Sequence, residues 1–334
     1  MRPLIVVRDL VKEFHRPKRV EGRFGGLRTM FTRERVTKRA VDGISFTLQE
    51  GELVGYLGPN GAGKSTTVKM LAGILVPTSG TVEVAGAVPW RDRSRNARQI
   101  GLVFGQRSQL WWDLPLRESL RLIGDLYEVP DDRYRLNLAH HSELLELGPF
   151  LDTPVRQLSL GQRMRGDLAA ALLYEPRVLY LDEPTVGLDV VARDRIRGFI
   201  AELNRERGTT VVLTTHDLDE VERLCDRIVL IDQGRVLFDG GVEALKSRFP
   251  PHRELVMRLA GQHIVPDVPG TVVREAGEGR WAVRFDPAVT PAAALVAELL
   301  RRYAVADLSV QEARLEDVVH RLYTEPAHVP PAPC

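Results

Sequence analysis

The chain is poor in several things, and each shortage removes a class of function. Two cysteines in 334 residues, Cys225 and Cys334, cannot build a disulfide framework, and they fit a reducing cytosol. No apolar run approaches the roughly 18 residues that span a bilayer, so a role at a membrane is expected to act through a partner or from the surface. The start, MRPLIVVRDL, meets Arg8 and Asp9 too soon for the apolar stretch of a signal peptide. Net charge is only +1, so no global field marks a nucleic-acid binder. Aromatic residues make up 6% and tryptophan occurs four times, yet Trp111 and Trp112 are adjacent. Adjacent side chains diverge in a helix and oppose each other in a strand. One is therefore expected to pack internally and the other to be left facing outward, the alternative being a local twist that buries both.

What is present is strand–helix alternation. Residues 3–14 and 40–57 resemble strands, with a turn at Gln49-Glu50-Gly51. LVGYL, TVEVA, IGLVF, VLYLD, TVVLT and RIVLI follow as strands, separated by helical patterns that open near Lys64, Ser159 and Val190. This order predicts an α/β fold with a mostly parallel sheet covered on both faces. A helical stretch interrupts it at about 107–175. Past residue 240 come short alternating strands (ELVMRLA, TVVREA, WAVRF) and two amphipathic helices, 291–303 and 314–323, as expected of a small α+β domain. The expected organisation is a nucleotide-binding domain over 1–240, an accessory or dimerisation domain over 241–325, and a Pro-rich disordered tail over 326–334. Within the first domain, residues 15–39 form a basic insert with nine Lys/Arg against two Glu, locally +7. Leu27, Met30 and Phe31 in that insert have the spacing of one helical face. His140 and His141 are expected at the surface, and Cys225 in the interior.

GPNGAGKST, residues 58–66, follows a strand and opens a helix. In this context Gly58, Gly61 and Gly63 let backbone N–H groups turn toward phosphate oxygens, and the helix N-terminus adds its dipole. Lys64 then reaches the terminal phosphates and Ser65 ligates Mg²⁺. VLYLDEPT, residues 178–185, ends four apolar residues in Asp182 and Glu183. That places two acids at the carboxyl edge of the sheet, where nucleotides bind in open α/β folds. Asp182 is expected to hold Mg²⁺ through water and Glu183 to polarise the attacking water. The plainer alternative for such acids is a helix cap.

LSLGQ at 158–162 then completes a set of motifs that resembles the ATP-binding subunits of ABC transporters. The resemblance covers residues 4 to about 240. In it, the loop carrying Asn60, Ala62, Lys64, Ser65 and Thr66 is the Walker A segment and VLYLDE the Walker B strand. Gln106 matches the Q-loop glutamine, a Mg²⁺ and γ-phosphate contact. Ser159, Gly161 and Gln162 match the signature, with Leu160 replacing the commoner glycine. Asp189 closes the D-loop, His216 is the switch histidine, and Phe14 stands where adenine stacks. Plain core packing is the alternative for Phe14. The resemblance implies ATP and Mg²⁺, and a head-to-tail homodimer that sandwiches ATP. It further implies two separate membrane permease subunits and a peripheral place on the cytoplasmic face of the cell membrane.

The string IGLVFGQRSQLWWDLPLRESL, AVDGISF, the basic insert and the terminal ARLEDVVHRLYTE resemble a branch of bacterial drug and natural-product exporters. Export of a small molecule is the expectation. An ABC importer ATPase, or a soluble ABC ATPase acting on nucleic acid or ribosomes, is the alternative. The latter usually carries two cassettes or a long coiled coil, and this chain shows one Walker A and no sustained heptads.

Overall fold

The computed structural model describes residues 3–17, 35–105, 107–248, 253–260, 265, 268, 271–277, 279–287, 289–311 and 315–324. Gln106, the loop 18–34 with Leu27, Met30 and Phe31, and the tail beyond 324 lie outside the described residues. The chain divides into two compact units, one through Asp239 and one from Gly240. Each is described by itself.

In the first unit, β1 (Ile5–Pro17) pairs antiparallel with β2 (Arg35–Leu48) and with β4 (Ser79–Val84). The expected insert over 15–39 is therefore shorter, because β1 continues to Pro17 and β2 starts at Arg35. Cross-strand pairs such as His15↔Thr37 and Phe14↔Lys38 continue the ribbon into the basic stretch. The second sheet has the order β5-β6-β7-β3-β8-β9. Its members are β3 (Leu53–Leu57), β5 (Ile100–Phe104), β6 (Val178–Asp182), β7 (Thr210–Thr215), β8 (Arg227–Asp232) and β9 (Arg235–Gly241). Pairs β5·β6, β6·β7, β7·β3 and β3·β8 are parallel. β3 and β7 are buried at every position, which explains why neither LVGYL nor TVVLTT alternates between apolar and polar residues.

Helices α1 (Lys64–Leu71), α2 (Arg93–Gln99), α6 (Val190–Arg207) and α7 (Leu218–Leu224) belong to the same unit. So do α3 (Leu116–Leu126), α4 (Asp131–Leu144) and α5 (Leu160–Leu172). α4 does not leave both histidines at the surface. His141 is fully buried and edges onto Phe199 at 6.5 Å. Asn137, one turn earlier on the same face, donates to the Leu173 carbonyl at 2.9 Å. The helix face that carries both residues is the one turned inward.

The second unit contains α8 (Val242–Arg248), α9 (Ala292–Arg302), α10 (Leu315–Thr324) and an antiparallel sheet in the order β11-β12-β10-β13. These strands are β10 (Arg253–Leu259), β11 (Val272–Glu275), β12 (Arg280–Phe285) and β13 (Val305–Gln311). Leu255, Met257, Val283 and Phe285 pack with Leu295 and Leu299 of α9 into one apolar cluster. β13 is an edge strand with no fully buried residue, so its sequence carries little apolar signal. Among the described residues, no helix is long and apolar enough to cross a membrane.

Candidate functional site

The loop between β3 and α1 is built by close backbone contacts. A Cβ at Gly58 would sit 2.4 Å from the Ile231 carbonyl oxygen. At Gly63, φ is +110° and a Cβ would sit 2.5 Å from the Ala40 oxygen. Only glycine meets both conditions without strain. The Tyr56 hydroxyl of β3 donates to Thr67 Oγ1 at 3.2 Å, and Thr67 Oγ1 donates to the Gly63 carbonyl at 3.1 Å. This buried relay fixes the start of α1 against the strand.

A cavity of about 610 Å³ opens on that loop. Asn60, Gly61, Gly63, Lys64, Ser65 and Thr66 line it from one side, Asp182 and Glu183 from the other, and Phe14 with Lys38 from the β-ribbon. Phe14 is thus a wall of the cavity, half-buried, with the Lys12 ammonium 5.3 Å from its ring centre. Gly58 and Ala62 shape the loop without lining the cavity. Lys64 Nζ donates to the Gly58 carbonyl at 2.6 Å. Burial lowers its pKa, and the neighbouring Glu183 and Asp182 oppose that shift. The ammonium is therefore held by the loop, in reach of anions that enter the cavity.

Asp182 ends β6 and caps no helix. It accepts from Ser65 Oγ at 3.2 Å and from the Thr214 hydroxyl of β7. Glu183 follows at φ +55°, in the left-handed region that non-glycine residues adopt uncommonly. Its N–H donates to the Thr214 carbonyl at 2.9 Å, and a Cβ on Gly105 would lie 2.1 Å from the Glu183 oxygen. The strand end is thereby turned so that Glu183 Oε1 comes within 3.5 Å of His216 Nδ1.

The signature residues are elsewhere. Ser159, Gly161, Gln162 and Asp189 line a separate cavity of about 270 Å³, which shares no lining residue with the first. Ser159 caps α5: its Oγ accepts from Gln162 N at 3.2 Å, while Gln162 Oε1 accepts from Ser159 N at 2.9 Å. This reciprocal capping box leaves the Ser159 O–H free to donate. Asp189 caps α6, accepting from Ala192 N at 2.8 Å. Leu160 is half-exposed, with Cδ2 3.1 Å from where a Cβ on Gly187 would stand, so its bulk covers the D-loop glycine and leaves Ser159, Gly161 and Gln162 clear.

Several residues of the site escape sequence reading. Thr214 is one. Another group is a buried network behind His216, in which Arg197 Nη2 lies 2.9 Å from Asp217 Oδ2 and Thr185 Oγ1 donates to Glu220 Oε2 at 3.1 Å. It ties the helix after His216 to the turn after Glu183. Burial raises the Glu220 pKa. The acids in VGLDVVARDR and THDLDE carry the signal, but only a fold brings them together.

The tryptophan pair departs from expectation. Neither ring packs in the interior: Trp111 is 42% exposed and Trp112 50%. Leu110 supplies the buried anchor instead, and the Trp112 ring lies under the Arg163 guanidinium at 4.6 Å. Cys225 is buried, and burial raises its thiol pKa, which suits an inert interior residue.

These features agree with comparisons to known proteins. The ABC transporter family profile matches residues 41–186. The daunorubicin resistance ATP-binding protein DrrA3 of Streptomyces coeruleorubidus is 42% identical over 233 residues, covering 67% of this chain and 71% of that protein. The Nod factor export ATP-binding protein I of Ralstonia nicotianae is 34% identical over 316 residues, covering 89% and 92%. Among solved structures, the ATP-binding subunit of an ABC transporter superposes with a TM-score of 0.62 at 27% identity, covering 74% of this chain and 93% of that one. A dimeric ATP-binding cassette in a post-hydrolysis state bound to ADP and Pi gives 0.59 at 25%, covering 71% and 98%. This chain belongs to the ABC transporter family, as one of its ATP-binding subunits.

Proposed function

We propose that the chain hydrolyses ATP to drive export of a small molecule through separate membrane permease subunits, from a peripheral position on the membrane's cytoplasmic face. One observation carries the catalytic part: Lys64, Ser65, Asp182 and Glu183 converge on one cavity, whereas Ser159, Gly161 and Gln162 line another. A single copy therefore holds both halves of a phosphate site without closing either. Two copies arranged head to tail bring the α5 N-terminus of one against the γ-phosphate held by the other, where the helix dipole and the Ser159 hydroxyl favour the anion.

In that arrangement Phe14 stacks on the adenine and the Walker A backbone cradles the phosphates. Glu183 accepts a proton from water as its oxygen attacks the γ-phosphorus. The bond from that phosphorus to the bridging oxygen breaks, giving ADP and phosphate. His216, held near Glu183, orients the γ-phosphate. Such chemistry needs mainly positioning and charge stabilisation, so closing the dimer assembles the catalyst and hydrolysis reopens it.

The donors present suit Mg²⁺. A serine hydroxyl and a carboxylate already meet at 3.2 Å, a hard oxygen pair. Among the described residues no three or more His, Cys, Asp or Glu form a metal cage. Mg²⁺ typically takes one or two protein oxygens and completes its shell with water and phosphate. Ser65 and Asp182 would hold it, with Gln106 a third contact by family resemblance, and it would neutralise charge on the β- and γ-oxygens.

Export is supported by the functions of the relatives, which include drug resistance and Nod factor export. The exposed Trp111 and Trp112 fit a permease contact, since large flat side chains lose much exposed area at low entropic cost. Inside-out vesicles carrying this chain and its permease test the direction. ATP-dependent accumulation of a candidate hydrophobic drug is expected; ATP-dependent release of preloaded drug would make the chain an importer subunit.

A further inference from the structure

The stretch after the Q-loop does not merely pass the signature helix. It is fastened along it, one residue at a time. Asp167 of α5 is 3% exposed, yet its carboxylate is well supplied: Oδ1 accepts from Ser108 Oγ at 3.0 Å and from Gln109 N at 2.9 Å. The Asp167 carbonyl also accepts from Gln109 Nε2 at 3.1 Å. One residue back on the helix, a Cβ on Gly166 would stand 3.0 Å from Leu110 Cδ1 and 2.8 Å from Leu116 Cδ1, so Leu110 and Leu116 rest on the bare helix backbone. One turn further, Arg163 covers the Trp112 ring. Residues 163, 166 and 167 share one helix face. The strip runs antiparallel to the helix and ends beside the capped turn that presents Ser159 and Gln162. Its other edge is tied to α3, where Trp111 N donates to Ser119 Oγ at 3.2 Å.

We propose that Asp167 and Arg163 are positioning residues that lock strip 108–112 to the signature helix, so that the tryptophan edge and the helix end bearing Ser159 and Gln162 move as one body. A buried carboxylate is costly to keep unless hydrogen-bonded donors hold it. Here the donors come from the strip itself, which explains an acid among the buried residues of the helix. The proposal deepens the function above, because a permease seated on the tryptophans would thereby act on the signature turn. By linkage, nucleotide closure at the signature turn would in return shift the tryptophans.

That reverse direction gives a test on the ATPase chain without a permease, so its outcome is separate from whether a permease docks there. In a Glu183→Gln background, Trp90, Trp111 and Trp281 are replaced by Phe, leaving Trp112 as the reporter. Mg-ATP is expected to change its emission with the half-saturation seen by a fluorescent ATP analogue. Asp167→Ala, which does not touch the Trp112 ring, is expected to reduce the amplitude at least threefold while half-saturation stays within twofold. Asp167→Asn retains an acceptor oxygen and is expected to retain the amplitude. In the chain with all four tryptophans, Asp167→Ala is expected to lower kcat at least fivefold with KM for ATP within twofold, and Asp167→Asn to restore it. If Asp167→Ala does not fold, Arg163→Gln carries the same kcat-against-KM comparison at a less buried site, and Arg163→Lys is its rescue. Trp112 emission indifferent to ATP overturns the proposal. So does full amplitude in Asp167→Ala, or an Asn variant as impaired as the Ala variant. Where only the Arg163 series can be read, wild-type kcat in Arg163→Gln overturns it.

Discussion

His216 Nδ1 lies 3.5 Å from Glu183 Oε1, across the ends of two adjacent parallel strands. The pairing places the residue proposed to activate water beside the residue proposed to hold the γ-phosphate. Glu183→Gln removes the basic oxygen and leaves Lys64, Ser65 and Asp182 in place. General-base loss typically costs about 10²–10⁴ in rate. Steady-state turnover should fall by about that factor, while titration with a fluorescent ATP analogue should show binding within a few-fold of the unaltered chain. Turnover near the normal rate would remove Glu183 from the role.

Lys64→Ala acts on the ground state. The ammonium is held by the loop and faces the cavity, so its loss should weaken ATP binding itself, by tenfold or more on the same titration. An unchanged half-saturation would mean that the backbone cradle alone sets affinity.

Acid stability should respond to His141. Burial lowers its pKa to about 4, with Arg207 and His140 adding to the shift. The unfolded chain binds this proton near pH 6.5, so stability is full above that value and declines as pH falls toward 4. That difference in proton affinity is worth about 3 kcal/mol of stability. Asp167 works the other way. Burial raises it to about 6, against the hydrogen bonds from Gln109 and Ser108 and the charge of Arg163. Its stabilising share is present below about pH 4 and is lost as pH rises through 6. The two slopes oppose each other and hide one another in the native chain. His141→Leu should therefore flatten or reverse the acid limb of a Tm-against-pH curve between pH 4 and 6.5. Asp167→Asn should steepen it. A His141→Leu curve parallel to the unaltered one would show that His141 does not titrate in this window.

Phosphate chemistry is legible in the sequence because it demands fixed residue types at fixed spacing on a strand–loop–helix. Lys64, Asp182 and Glu183 stand out on those grounds, and the buried parallel strands stand out by their apolar runs. Other elements carry no such signal. α2, RSRNARQ, buries only Asn96, so it lacks an apolar period. His141 sits on a helix of low amphipathic contrast. The tryptophan pair misleads for a related reason. The apolar anchor of that strip is Leu110 against Gly166, a fit set by a missing side chain that no periodicity reveals.

The exposed tryptophans give an energetic discriminator. Truncating a core Trp costs about 3–5 kcal/mol. Trp111→Ala and Trp112→Ala should each shift the Tm of the isolated chain far less than that implies. Each should nevertheless lower substrate-stimulated ATPase activity of the complex with its permease. A large Tm loss in both variants would assign the pair to the fold rather than to a partner.

In the proposed dimer, one copy's signature turn completes the other copy's phosphate site. Sedimentation velocity of the Glu183→Gln chain with Mg-ATP reads out this completion. A shift from monomer to dimer on adding ATP is expected. Ser159→Glu in the same chain, which sets a carboxylate against the γ-phosphate, is expected to abolish the dimer while the monomer still binds ATP. A dimer that persists with Ser159→Glu, or no dimer in saturating ATP, would show that the signature turn does not complete the partner copy's site.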